Sequence, residues 1–589
     1  MIRNILAVIL AAIATVGMNI KLDKNLDLLQ SFSGNEISVL IIFIVFIFFI
    51  NKALENKDKR LNIISLIIGF IFSIFEVVGN SIVNYGNLEG ILYSNVAFLQ
   101  SSIKLMYYLI IIYSVVKILM SYFDKIENTE ELKKYKLFTN NKKSILVVFL
   151  VLMISWLPYF LKYFPGIIGF DTLEQLKEAL GTSPMWNGSP ICTTLTLKLI
   201  IDITMPIFNN LNISMAICTI LKMMFTALII SYSIYYLAKK GINYKIRLLV
   251  LVFFAINPVF SFYAISIDKD SLFASIFVMD FILLFEFVTN KDNFVKSKFY
   301  IILSFIFVLL TALVRHNGMY IYVLLIPFLY ITLRKNYLKL TAFIASTLLS
   351  VYLINTIAFA VFDVAQSSSF GLLCVPMQAM ARLVKLNGDN LTEKEREEID
   401  LFVEYDELPG SYNPNLADPE MGHFRREYMT EHKLQYVILN IKLFAHYPNY
   451  YIESILCNTS GYWLPEKHKT LFDKGVIVND FGIETKQLIN NSLLDKLDKL
   501  TDNRQLPIVG MLFSAGLTLW ILMFLIFYII YKRKYYLLVP LLPSIFNYII
   551  VLMGPSNTEF RYIIPMYMPL SIMYCLIINR AKKDEDNKI

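Results

Sequence analysis

Apolar runs long enough to cross a membrane recur along most of this chain, and polar residues are confined to the gaps between them. The runs fall near residues 3–20, 37–51, 61–83, 96–122, 145–161, 213–237, 245–262, 271–288, 299–314, 317–333, 340–361, 509–531, 535–553 and 562–579. A hydrocarbon core of ~30 Å takes roughly 20 apolar residues per helix. The pattern therefore predicts an all-α polytopic membrane protein with about fourteen transmembrane helices and both termini on one side. The first run has the layout of a signal sequence, but no persuasive cleavage site follows it and many more spans do. It reads as a retained helix.

Basic residues set the orientation. Lys52, Lys57, Lys59 and Arg60 occupy one turn, Lys133, Lys134, Lys136, Lys142 and Lys143 a second. Lys239, Lys240, Lys245 and Arg247 form a third, Lys532, Arg533 and Lys534 a fourth. All fall on the side of the tail at Arg580, Lys582 and Lys583, which the positive-inside rule makes cytoplasmic. The stretch 191–205 is apolar too, but it contains Lys198 and Asp202, and counting it as a span would invert every later loop against that rule. It is expected to lie along the outer membrane surface.

The resulting organisation is a four-helix membrane module over 1–123, a cytoplasmic loop over 124–144 and a membrane core over 145–361 with a first outer loop at 162–212. A small, mainly helical extracytoplasmic domain follows over 362–508, then the last spans over 509–579 and a cytoplasmic tail over 580–589. Within 362–508, Thr392 and Glu395 have capping-box spacing. YNPNLADP (412–419) is turn chemistry, and HYPNYYIES followed by GYWLP mixes aromatics with breakers.

Composition agrees with the class. Of 589 residues, 57% are hydrophobic and 17% charged, and the mean hydropathy is +0.57. The net charge of +8 is no nucleic-acid signal, because Lys and Arg lie between spans rather than along one face. Five cysteines make no framework, although Cys374 and Cys457 share the long polar segment and could pair there.

The candidate chemistry gathers in the outer turns. PGIIGFDTLEQLKEALGTSPMWNGSP (165–190) follows a span directly. Leu173, Leu176 and Leu180 would line one face of a short surface helix, with Asp171, Glu174 and Glu178 on the opposite stripe. Asp171 and Glu174 also have N-cap and N3 spacing, so a capping box explains them equally well. The next outer turn, FYAISIDKDSLFA (262–274), holds Asp268, Lys269 and Asp270 together, and a capped helix start is again the plain alternative. After residue 250 the short outer turns contain only Lys269, Arg315 and Arg561 as basic residues. Each could be a snorkelling anchor. Together beside carboxylates they better suit an anionic ligand such as a phosphate, which arginine meets with two parallel donors. His316 is adjacent to Arg315 as a polar turn residue. Within the spans, Glu76 with Lys104, and Lys222 with Asp280, lie at similar depth and are expected to pair.

The pattern resembles the C-type (GT-C) glycosyltransferases, polytopic enzymes that use lipid-phosphate-linked sugars. A span is followed by an acidic residue in the first outer loop, then proline-containing surface helices, then a second acidic residue in the next outer loop. Asp171 matches the first acid; Asp270, in its KDSLF context, matches the second, with Asp268 as the alternative. The RHNGMY and EFRYIIPMY segments look like those of an uncharacterised bacterial membrane-protein family thought to share that fold, and they add Tyr562 beside Arg561. Where many relatives have His-Pro or Lys-Pro-Pro before the second surface helix, Ser189-Pro190 stands, so the contact made there is expected to be missing.

The resemblance implies an inverting transferase that moves a sugar from a polyprenyl-phosphate donor to an unidentified acceptor hydroxyl on the outer face. Asp171 and Asp270 would be catalytic. Lys269, Arg315, His316, Arg561, Tyr562, Asp268 and Glu174 would bind substrate. A divalent cation is optional, membrane lipid is a partner, and nucleic acid is not. A transporter or flippase for lipid-linked or anionic substrates, or a non-catalytic envelope-assembly protein, would use the same cations without needing a base at Asp171.

Overall fold

The computed structural model describes residues 1–125, 141–365, 373–467, 474–490, 492–502, 513–554 and 556–586. The basic turn at Lys133, Lys134 and Lys136 lies outside these residues. Among the described residues the chain forms helices and isolated bridges without an extended strand, as an all-α multi-pass membrane protein. Twelve helices are long and apolar enough to cross a membrane, or thirteen with one bent pair counted as a span.

Among the described residues each of the fourteen apolar runs contributes helix, but not every one has the length of a span. Helices α1 (Ile2–Asn19), α2 (Glu36–Ala53), α3 (Lys59–Tyr85) and α4 (Asn95–Lys125) pack together first. Ala7, Ala11 and Ala14 on α1, at helical spacing, let the backbones approach. After α5 (Lys143–Lys162) comes the short α6 (Phe170–Ala179), then α7 (Ile191–Phe208) and α8 (Leu211–Lys239). Helix α7 has the length and composition of a span, yet it packs lengthwise on α6 and returns to the same loops: Thr193 and Thr194 meet Gln175 of α6 at its start, and Thr204 meets Ser214 of α8 at its end. Its two charges neutralise each other one turn apart, Lys198 Nζ to Asp202 Oδ2 at 3.2 Å.

The run 245–262 is broken. Helices α9 (Tyr244–Ile256) and α10 (Pro258–Ile265) meet at 57°. Pro258 lacks the N–H that would continue the ladder, and Asn257 caps the new helix by accepting from the Val259 N–H at 3.0 Å. All eight residues of α10 are buried. Helix α11 (Lys269–Thr289) is the most enclosed span, with 83% of its apolar window buried. Helices α12 (Lys298–Val314) and α13 (His316–Thr332) have 17 residues each. At 1.5 Å per residue that is about 25 Å, short of the ~30 Å core. The single extended residue between them is Arg315. Helix α14 (Tyr337–Phe362) completes this group.

The region 373–467 has its own core, built from Met377, Met380, Leu383, Ile399, Phe402 and Tyr436 among others. The capping box at Thr392 and Glu395 forms as its spacing predicts. The aromatic stretch read as interrupted by breakers is instead continuous helix, α15 (Pro448–Trp463), because Pro448 sits at N1, where its missing N–H costs nothing. Its far end inserts among the spans, with Trp463 and Leu464 against Gly79 of α3. Cys374 and Cys457 form no disulfide; the Cys457 thiol donates to the Gly86 carbonyl at 3.3 Å. The chain ends in α16 (Ala515–Lys532), α17 (Leu542–Leu552), α18 (Phe560–Tyr567) and α19 (Leu570–Asp586).

The two predicted intramembrane ion pairs do not form. Lys104 donates to the Met18 and Ile20 carbonyls, both at 3.1 Å, while Glu76 Oε2 is buried without a hydrogen-bond partner. Lys222 donates to the Tyr263 and Ser266 carbonyls, and Asp280 takes the Thr311 hydroxyl at 2.6 Å. Equal depth along the membrane normal says nothing about which way two helices face. Nearer carbonyls take both lysines and the Thr311 hydroxyl takes Asp280 Oδ2, while Glu76 Oε2 is left buried without a hydrogen-bond partner.

Candidate functional site

Two loops are stitched together to make the site. The strand-like segment before α6 pairs with the one before α11: the Ile167 N–H donates to the Ile265 carbonyl at 3.0 Å, and the Ile267 N–H returns to Ile167 at 2.9 Å. The Thr172 hydroxyl also donates to the Ile267 carbonyl. From beneath, α8 holds both sides. Thr219 donates to the Pro165 carbonyl at 2.7 Å, and the Lys222 ammonium grips carbonyls at the end of α10. That helix end carries partial negative charge, so a cation is well placed there. The segment 474–490 braces the first loop, with the Ile168 N–H donating to Gly475 and the Lys486 N–H to Phe164.

Asp171 is thereby brought to Lys269. The Lys269 Nζ lies 3.1 Å from Asp171 Oδ2, and Arg561 Nη1 lies 3.3 Å from the same oxygen. Asp171 is not a cap: Gly169 occupies the N-cap position of α6, and Glu174 pairs with Lys177 at 2.7 Å. The capping-box explanation therefore fails for both carboxylates, and Glu174 faces away into a surface pair. Burial alone would raise the Asp171 pKa. The Lys269 and Arg561 charges, with a smaller contribution from Arg315, overcome it and hold the carboxyl below its usual value.

A second pair lies deeper. Arg315 Nη1 contacts Asp270 Oδ1 at 2.8 Å, with Asp270 only 1% exposed. The contact lies off the hydrogen-bonding direction, so both atoms keep unused hydrogen-bonding capacity, as does Arg561 Nε. The two guanidinium centres each lie 5.0 Å from the Tyr562 ring centre, and Arg561 Nη2 donates to the Tyr562 hydroxyl at 3.3 Å. Arg315, Arg561, Lys269, Asp171, Asp270 and Tyr562 thus form one cluster drawn from four separate chain segments. Asp268 is the N-cap of α11, accepting from Ser271 N–H at 2.5 Å, so the plain alternative holds for it. His316 hydrogen-bonds the Asn187 backbone and braces the 181–190 loop instead of entering the cluster.

Two members were not anticipated. Ser189, at the position where a contact was expected to be missing, accepts from Lys269 at 3.0 Å. Glu559 lies 3.8 Å from Arg561 Nε; its only sequence signal is its place two residues before that arginine. Glu178, on the Asp171 stripe, supports the same loop by bonding the Trp186 backbone and Thr194, and its burial raises its pKa.

The position of Arg315 depends on a close helix approach. A Cβ at Gly318 would lie 2.0 Å from the Thr311 carbonyl oxygen, a fixed backbone atom. Gly318→Ala is expected to destabilise the protein by about 1–3 kcal/mol through overpacking. Thermal unfolding in detergent measures this, and an unchanged melting temperature would refute the tight α12–α13 contact.

The arrangement suits an anion: it gathers three cations around one carboxylate that keeps 35% of its side chain exposed. Among the described residues no three His, Cys, Asp or Glu groups could hold a metal ion together, and Asp171 already faces two cations. No curated protein and no solved structure matches the chain. Residues 187–589, more than half the chain and including every cluster residue except Asp171, match the model of a family of unknown function, DUF6020. The chain belongs to that family.

Proposed function

We propose that this protein is a membrane glycosyltransferase that moves a sugar from a polyprenyl-phosphate donor to an acceptor hydroxyl on the outer face. In this reading both termini are cytoplasmic and 362–508 is extracytoplasmic. The observation that carries it is the sharing of Asp171 by Lys269 and Arg561, at 3.1 and 3.3 Å: a carboxylate and cations suited to a phosphate in one cluster.

The donor phosphate would be held by the charges of Arg315 and Arg561 and draw Lys269 toward it. Asp171 would accept the proton of the acceptor hydroxyl as its oxygen bonds to the anomeric carbon. The bond from that carbon to the phosphate oxygen would break on the opposite side, the phosphate leaving with the electron pair and the anomeric centre inverting. Charge grows on the departing phosphate, so fixed cations stabilise the transition state more than the ground state. Phosphate binding also competes with Asp171 for the same two cations. The carboxylate held low in the free protein would become a stronger base once the donor is bound. Asp270, enclosed against Arg315, would orient that guanidinium rather than touch the acceptor.

The broken helix at Asn257-Pro258 is a feature of many transporters. Here the carbonyls at its end are already taken by Lys222, which favours the transferase.

Proteoliposomes loaded with radiolabelled polyprenyl-phosphate sugars distinguish the two. Transfer of label to an acceptor, reduced about 10²–10³-fold by Arg561→Gln as for the loss of a transition-state donor, supports the enzyme. Movement of intact labelled lipid between leaflets, with no transfer, would refute it.

A further inference from the structure

A groove of about 170 Å³ runs between α11, α12, α13 and α14, on the side of Arg315 that leads away from the cluster. Its wall is almost wholly hydrocarbon, including Leu284, Ile301, Val308, Ile326 and Leu348. At the end nearest Arg315 stand Asp280, Thr311 and Tyr322, tied to one another by hydrogen bonds to the Asp280 carboxylate. At the other end the lining includes Leu333 and Lys339.

We propose that this groove binds one acyl chain of an anionic phospholipid, with the headgroup phosphate on the basic rim at Lys335 and Lys339. The inference rests on the membrane fold and not on the proposed transferase activity. Length is the first argument. The groove follows α12 from Ile301 to Ala312 and α13 from Met319 to its C-cap Leu333, about 16 to 21 Å at 1.5 Å per residue. That is half to two-thirds of a ~30 Å hydrocarbon core, the reach of one acyl chain. Charge is the second. The two turns at the open end, 290–300 and 332–340, bring Lys291, Lys296, Lys298, Arg334, Lys335 and Lys339 against Asp292 alone. Lys291 ties the turns together by donating to the Thr332 carbonyl at 3.3 Å. A basic cluster at the end of an apolar slot matches the two halves of an anionic lipid.

Native mass spectrometry of the full chain in neutral detergent tests this, with phosphatidylglycerol and phosphatidylcholine of equal chain length as probes. Wild type is expected to retain phosphatidylglycerol over phosphatidylcholine, and Lys335→Gln with Lys339→Gln to cut that retention about tenfold without altering phosphatidylcholine. Ser304→Phe, which fills the slot from its wall, is expected to abolish retention of the bound lipid. If it fails to give monodisperse protein, the charge variant decides alone. Equal retention of both lipids, an unchanged charge variant, or displacement of phosphatidylglycerol by equimolar polyprenyl phosphate would overturn the proposal.

Discussion

Asp171→Asn is expected to lower sugar transfer by about 10²–10⁴-fold, the usual contribution of a general base, while the protein folds normally. The amide keeps the shape of the carboxylate but loses its charge, and with it the two ion pairs and the ability to take a proton. Folding should survive for two reasons. Gly169, not Asp171, occupies the N-cap of α6. The side chain also keeps 35% of its surface exposed, so Lys269 and Arg561 can hydrate when their shared partner is neutral. The pH dependence follows from the same contacts. Burial raises the carboxyl pKa, but the Lys269 and Arg561 charges outweigh it, and the net shift is downward. The proton-accepting form is therefore complete at neutral pH and is lost only as pH falls below the ordinary aspartate value of about 4. The stabilising ion pairs at Asp171 are lost over that same window. Wild-type transfer should show no titration of this group between pH 6 and 8. Near-normal transfer by the variant, with unchanged unfolding temperature, would remove Asp171 from the mechanism.

The spans were legible because a bilayer imposes a length and a polarity on them that sequence records directly. What escaped was lateral. Glu76 with Lys104, and Lys222 with Asp280, share a depth but not a facing direction, and backbone carbonyls and hydroxyls took the partners' places. Helix α7 shows how little a hydropathy sum decides by itself: its composition suits a span, while its contacts with Gln175 and Ser214 keep both its ends beside the stitched loops. At the site, Lys269, Arg315 and Arg561 stood out because basic residues on that side break the charge bias. Ser189 carried no such signal; only the fold of the 181–190 loop turns its hydroxyl toward Lys269. The stitched bridge between Ile167 and Ser266 was also invisible, since three residues of extended chain between helices leave no periodicity.

Arg315→Met is expected to cost about 3–5 kcal/mol of stability, the range for leaving one member of a buried ion pair uncompensated. Asp270 is 1% exposed and Arg315 10% exposed, so neither can reach bulk water when the other is removed. Lys269 and Arg561 also act electrostatically on Asp270, which favours the lower half of that range. The companion variant Asp270→Leu should cost a similar amount by stranding Arg315. The double variant Asp270→Leu with Arg315→Met should recover most of the loss, because two apolar side chains of similar volume replace both charges at once. Reversible unfolding in mixed micelles measures all three. Activity separates structure from chemistry: the double variant should be stable yet still deficient in sugar transfer, since only Arg561 of the two guanidinium groups beside Tyr562 remains. Additive losses would show that the 2.8 Å contact carries no coupling energy. Full transfer by the stable double variant would exclude Arg315 from binding the donor phosphate.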